Sequence, residues 1–146
     1  MLGGFWDFTS DLSCKDTAYT QEALPLHTDT TYFSDPAGLQ LFHLLSHTDG
    51  NGGETILVDG LRAALALRDN HPSAYRRLKD IGVYAHASGN NDLSIQPCKA
   101  FPVINLDSSW RIMQIRWNPA DRVGIGASIS EMADWYDAAK YVDIYL

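Results

Sequence analysis

The clearest hydrophobic pattern lies near the C-terminus, where Met132, Trp135, Tyr136, Ala139 and Val142 recur at three- and four-residue spacing. That spacing puts them on one face of a helix, and Ser128 followed by Glu131 supplies a capping-box start. Leu61, Ala64, Leu65 and Arg68 share the same period and predict a helix over residues 61–68. A further helix is expected from Pro72, a residue favoured in a first turn, to near Gly82. Elsewhere the apolar positions fall into runs of strand length. These runs are residues 5–9, 38–45 (GLQLFHLL), 54–58, 83–87, 101–106 and 111–117, the last two joined by an Asp107-Ser108-Ser109 turn. Gly52-Gly53 reads as a turn opening the 54–58 strand. Strands dominate this reading and helices fill two insertions. The expected architecture is mainly β with helical insertions, a sandwich with helices packed outside.

No repeat, low-complexity tract or linker divides the chain, so residues 1–146 are expected to form one unit. Its 45% hydrophobic and 20% charged residues are ordinary for a globular protein. A net charge of −7 argues against nucleic-acid and membrane-surface partners, which select basic patches. No apolar run approaches the ~20 residues of a membrane span. Cys14 and Cys98 make neither a disulfide framework nor a metal spacing and read as thiols in a reducing, intracellular compartment, cytoplasm or mitochondrion. The first residues lack a charged n-region, a cleavage motif or an Arg-rich presequence. The chain starts as if inside a domain and stops inside its last helix, so a partial domain is expected.

The triplet His27-Thr28-Asp29 carries the most chemistry. On an extended segment, side chains two residues apart project to the same side, so an imidazole and a carboxylate could share one ion. One more His would complete the two-His-one-carboxylate triad that holds Fe(II) and leaves positions open for co-substrate and oxygen. A His-x-Asp pair alone is weak and more often a surface or turn pair. Its context adds weight: Thr28, Thr30 and Thr31 favour extended backbone, and Tyr32 and Phe33 offer a dry wall. His43 sits in an apolar run and reads as a core or edge imidazole. His47 lies in a polar turn, His71 beside a helix start, and His86 on an expected strand. None has a spacing that marks it as the third ligand. Trp6, Phe8 and Tyr19 could line a pocket for a quaternary ammonium group, although core packing is the commoner role of such residues. Thr55 reads as a strand-start residue able to hydrogen-bond a carboxylate.

These stretches have a counterpart. FWDFTSD at 5–11, DTAYT at 16–20, HTDTTYFSDPAGLQLFHLL at 27–45 and GGETILVDG at 52–60 closely resemble the trimethyllysine dioxygenases, as do IRWNPADR at 115–122 and WYDAAKYV at 135–142. Those enzymes belong with the gamma-butyrobetaine dioxygenases in the larger TauD/TfdA-like group of Fe(II)/2-oxoglutarate oxygenases. The resemblance implies a double-stranded β-helix (jelly roll), incomplete here. It places the family's N-terminal small domain, its C-terminal closing strands, its third iron ligand and its 2-oxoglutarate-binding Arg outside these 146 residues.

The resemblance also implies a reaction. Fe(II) and 2-oxoglutarate activate O2 to hydroxylate carbon 3 of N6,N6,N6-trimethyllysine, the first step of carnitine biosynthesis, with ascorbate as an auxiliary reductant. His27 and Asp29 match two iron ligands, and Thr55 matches a 2-oxoglutarate contact. Trp6 and Tyr19 match residues around the trimethylammonium group, while Asp16 and Asn118 match residues holding the amino-acid end. Leu2 stands where the family usually has a cage Tyr. A homodimer is an option for the full-length protein. With two ligands of three, this chain alone is expected to turn over little. Two alternatives stand beside this reading. One is a gamma-butyrobetaine dioxygenase, against which Asp16 counts because that substrate has no α-amino group. The other is a non-catalytic fragment that associates through open sheet edges.

Overall fold

In a computed structural model of the chain, residues 20, 22–48, 50–87 and 94–145 are described. The expected 5–9 strand lies outside them. Among the described residues there are three helices and two small antiparallel sheets. Helix α1 (Gly60–Asn70) opens on Asp59, whose carboxylate accepts the Arg62 N–H at 2.9 Å. Helix α2 (Pro72–Asp80) follows after His71, with Pro72 in its first turn as expected. Helix α3 (Ile129–Tyr145) starts where Glu131 accepts both the backbone N–H (3.1 Å) and the hydroxyl (2.6 Å) of Ser128. The Ser128/Glu131 pattern thus closes a real helix start.

The first sheet has the order β2-β1-β5, with β1 at Gly82–Ala85, β2 at Phe101–Pro102 and β5 at Arg122–Ile125. Val83 pairs with Phe101 on one side and Ile125 on the other. Gly82 is required here, because a Cβ would stand 2.7 Å from the Ala100 Cβ. The second sheet is the expected hairpin, β3 (Ile104–Leu106) with β4 (Ile112–Ile115). Its turn is closed by Asp107, whose carboxylate accepts the N–H groups of Ser109 and Arg111 at 2.8 and 2.9 Å. The expected 101–106 strand is therefore divided. Residues on either side of Val103 pair into different sheets, and Val103 itself is buried.

The core lies where the helices cover the sheets. Trp135, Ala138, Ala139 and Val142 of α3 pack with Leu78 of α2, Leu67 of α1, and Val103, Ile104, Trp117 and Ile125. Leu78 and Trp135 are the largest fully buried side chains. Within the predicted stripe Trp135, Ala139 and Val142 are buried, whereas Tyr136 is half exposed.

Two expectations are corrected. Residues 38–45 and 54–58 are not strands: both are irregular, and Leu39, Leu41, Phe42, Leu44, Leu45, Ile56 and Leu57 are exposed. Apolar runs of strand length become strands only when a neighbour takes up their backbone groups, and none does so among the described residues. Gly52 and Gly53 do make the predicted turn, at φ of 97° and 81°. Strands also do not dominate, since more of the described residues lie in helices than in sheets.

Candidate metal centre

His27 and Asp29 meet. The imidazole Nε2 lies 3.1 Å from the Asp29 Oδ1, and the two side chains are 28% and 46% exposed, open to an arriving ion and its co-ligands. The other ring nitrogen, Nδ1, lies 2.7 Å from the Pro25 carbonyl oxygen. A carbonyl only accepts, so Nδ1 carries a proton, and in the neutral ring Nε2 keeps its lone pair. A carboxylate oxygen and an imidazole lone pair at this distance repel unless a proton or a cation lies between them. Two donors about 2.1 Å from one ion, at right angles, stand about 3 Å apart, close to the observed spacing. Fixing the tautomer through the far nitrogen is the usual arrangement of a metal-bound His. The far oxygen of Asp29, Oδ2, is held by the Gln40 amide at 2.6 Å. The donor set therefore fits a divalent cation, and His27 Nε2 and Asp29 Oδ1 would hold it. Among the described residues no third His, Cys, Asp or Glu joins them.

The local backbone differs from the extended run expected across the threonines. Thr28 is held by Trp117: its N–H donates to the Trp117 carbonyl (2.7 Å) and its hydroxyl accepts the Trp117 N–H (2.8 Å). Thr28 is thus fixed to Trp117, and its two neighbours, His27 and Asp29, meet each other. The chain then turns sharply. Thr30 has φ of 57°, and the Phe33 N–H closes the turn on its carbonyl at 3.0 Å. A β-branched residue in the left-handed region costs about 1–2 kcal/mol, strain that persists only where the surroundings over-determine it.

Those surroundings come from the segment after β4. Arg116, 7% exposed, donates from Nη1 to the carbonyls of Thr31 (3.1 Å) and Phe33 (2.7 Å), and from Nη2 to Ser34 (2.9 Å). Its Nε donates to Gln114 (2.7 Å), and the guanidinium lies 4.0 Å over the Phe101 ring. Burial pulls its pKa down from the ordinary value, opposed by the charge of Asp35. On the other flank, the Asp121 Oδ2 accepts from the Thr31 hydroxyl and the Asn118 amide, both at 2.9 Å. Burial holds the Asp121 carboxyl above its ordinary range. The Thr31 bond works against that shift, the Asp29 charge adds to it, and His27 and His86 oppose it. The Trp117 ring stacks on Trp135 at 6.4 Å, which ties the segment after β4, and with it Thr28, to helix α3.

The other expected site residues are more scattered. Trp6, Asp16, Tyr19 and Phe8 lie outside the described residues. Thr55 is exposed on the irregular segment before α1, with no hydrogen bond to the pair. Asn118 is at the right end of the molecule but engaged: its oxygen accepts from Ala120 (3.1 Å) and Asp121 (3.4 Å), and its amide binds Asp121. His43, expected in a core or at an edge, is exposed, as is His47. His71 joins α1 to α2 and stacks on Tyr141 at 4.0 Å. His86 approaches the Asp121 carbonyl at 3.3 Å. Arg116, Gln40 and Asp121 were not foreseen. The first and last stand inside IRWNPADR, whose likeness was noted without a role for either.

The profile of the family described as "Taurine catabolism dioxygenase TauD, TfdA family" matches residues 3–142, nearly the whole chain. The chain belongs to that family. Its dioxygenases depend in general on Fe(II) and 2-oxoglutarate, which agrees with the donor set described above. Among curated relatives, the trimethyllysine dioxygenase of Meyerozyma guilliermondii is 46% identical over 98% of this chain and 34% of its own length. The mitochondrial trimethyllysine dioxygenase of Homo sapiens is 37% identical over 100% of this chain and 35% of its own. A gamma-butyrobetaine dioxygenase from a Pseudomonas species is 36% identical over 95% of this chain and 35% of its own. The chain thus spans about a third of the length of these relatives. No helix among the described residues is long and apolar enough to cross a membrane.

Proposed function

We propose that this TauD/TfdA-family chain carries two of the iron ligands of a 2-oxoglutarate-dependent dioxygenase that hydroxylates N6,N6,N6-trimethyllysine at carbon 3, within carnitine biosynthesis. One observation carries the proposal: His27 Nε2 and Asp29 Oδ1 converge at 3.1 Å, with the imidazole tautomer fixed from behind by Pro25. The 46% identity to a trimethyllysine dioxygenase, against 36% to a gamma-butyrobetaine dioxygenase, favours trimethyllysine as the substrate. In this reading the two antiparallel sheets are parts of a jelly roll, and the compartment follows that of the mitochondrial relatives.

Bound Fe(II) with 2-oxoglutarate would supply the oxidising power for cleaving an unactivated C–H bond. The protein groups bind and orient. His27 and Asp29 would hold the ion, and the Gln40 amide, bonded to the Asp29 Oδ2, would keep that carboxylate from rotating away. Trp6 and Tyr19 are assigned to the trimethylammonium group, which has no N–H to donate and is held by aromatic faces at about 0.5–2 kcal/mol each. Asp16 and Asn118 are assigned to the amino-acid end and Thr55 to 2-oxoglutarate.

Titration of the chain with Mn(II), followed by electron paramagnetic resonance, tests the assignment. Wild type is expected to bind and His27→Ala to lose binding; equal binding by both removes the metal reading. Adding 2-oxoglutarate and then trimethyllysine is expected to perturb the bound-metal spectrum more than gamma-butyrobetaine does. Equal responses would remove the substrate preference.

A further inference from the structure

Arg116 is the only buried charged side chain among the described residues, yet no carboxylate forms an ion pair with it there. A guanidinium taken out of water must have its donors satisfied. Its two terminal nitrogens go to three backbone carbonyls, those of Thr31, Phe33 and Ser34. All three belong to the turn that begins directly after Asp29. The fork geometry of arginine suits this work, because a rigid plane of N–H groups fixes the carbonyls relative to one another.

The turn so held is the strained one. Thr30, between Asp29 and the first of these carbonyls, has φ of 57°. The segment carrying the pair is thereby pinned on both sides of Asp29. Thr28 is locked to Trp117 on one side, and the turn is locked to Arg116, the adjacent residue, on the other. Both locks come from one short stretch after β4, nearly ninety residues along the chain from the pair.

We infer that Arg116 is a positioning residue for the His27–Asp29 pair: by holding the 31–34 turn it sets the approach of the two donors to one ion. It touches neither donor, and its effect passes through the backbone. The inference rests on the reading of the pair as metal ligands. An ordinary core arginine would add stability alone, so the test must separate the two roles.

Co(II) affinity from d–d absorption and the 15N resonances of the His27 ring are measured on the full chain. The proteins compared are wild type, Arg116→Gln, Arg116→Lys, His27→Ala and the core control Val142→Ala. Wild type is expected to bind Co(II) through His27 and to show a single Nδ1–H tautomer. Arg116→Gln is expected to weaken binding by about 10–100-fold, the usual effect of losing a supporting partner of a metal ligand. Its His27 ring is expected to exchange between tautomers, with Arg116→Lys recovering part of both. Val142→Ala is expected to lower the melting temperature while leaving affinity and tautomer unchanged. Wild-type affinity and ring signals in Arg116→Gln overturn the inference. So does an equal loss of affinity in Val142→Ala, which would make the effect one of general stability. If wild type shows no His27-dependent Co(II) binding, the metal reading fails on its own account. The ring then decides positioning: a disturbed tautomer in Arg116→Gln supports it and an unchanged one overturns it.

Discussion

Asp121 shows how far a single residue in this site departs from its ordinary behaviour. Its carboxyl is half-buried beneath Thr31 and Asn118, and burial favours the protonated form. A carboxyl whose folded-state pKa lies above its unfolded value contributes stability that is fully present at low pH. That contribution is lost as pH rises through the folded-state value. Asp121→Asn keeps an oxygen for both donors and cannot ionise. The variant is therefore expected to gain on wild type as pH rises from about 4 to 7, the ordinary carboxylate value being about 3.9. Melting temperatures of both proteins across that range check this; a constant or narrowing difference would refute it. The sequence revealed little of this environment. His27 and Asp29 were legible because two-residue spacing and local composition act over a few residues. Arg116, Gln40 and Asp121 owe their roles to partners 82–90 positions away for the arginine and the aspartate and 11 away for Gln40. No local pattern encodes such pairings.

Elements that complete themselves were the ones legible in the pattern. Helix α3 and the β3–β4 hairpin have their caps, turn and partners within a few residues, and both stand where periodicity and turn chemistry put them. Helix α1 extends one residue before and two residues beyond its apolar spacing because its ends are set by polar groups, Asp59 at the start and the His71 N–H bonded to Leu67 at the end. Losing the first is expected to be measurable. Asp59→Ala leaves the Arg62 N–H without its acceptor and should lower stability by about 1 kcal/mol in urea unfolding. Asp59→Ser should restore most of it, and an unchanged midpoint for the Ala variant would show that α1 contributes nothing to the cooperative unit. Strand β5 escaped the pattern because four residues containing a Gly carry little periodicity. It exists because β1 offers an edge for it. The 38–45 and 54–58 runs fail for the converse reason. Their sequences have strand character, but strands are made by pairs, and the described residues offer no partner.

Across the whole molecule, stability is unevenly distributed. The three helices, both sheets and the Trp117–Trp135 stack share one apolar core, and the segment of the His27–Asp29 pair is tied to that core through Thr28 and Arg116. Residues 38–48 and 50–58, between the pair and α1, contribute exposed apolar side chains and little burial. Leu41 is 95% exposed and Leu78 is 0% exposed, so the same kind of side chain should have opposite worth at the two places. Leu78→Ala removes atoms from the meeting point of α2 and α3 with the sheets and is expected to cost about 2–5 kcal/mol, by lost transfer energy plus a cavity. Leu41→Ser removes nothing from the core and should stay within about 0.5 kcal/mol of wild type. It should nevertheless reduce binding of a hydrophobic dye to the folded chain, because exposed apolar surface of this kind is what such probes find. Urea midpoints of both variants, read beside amide hydrogen exchange, check the picture. Amides of 38–48 and 50–58 should exchange early, those of α2, α3 and β4 late. A large stability loss in Leu41→Ser would mean that this stretch is packed in solution. The turn after Asp29 would then have a second wall on the Gln40 side, and its geometry would not depend on Arg116 and Trp117 alone.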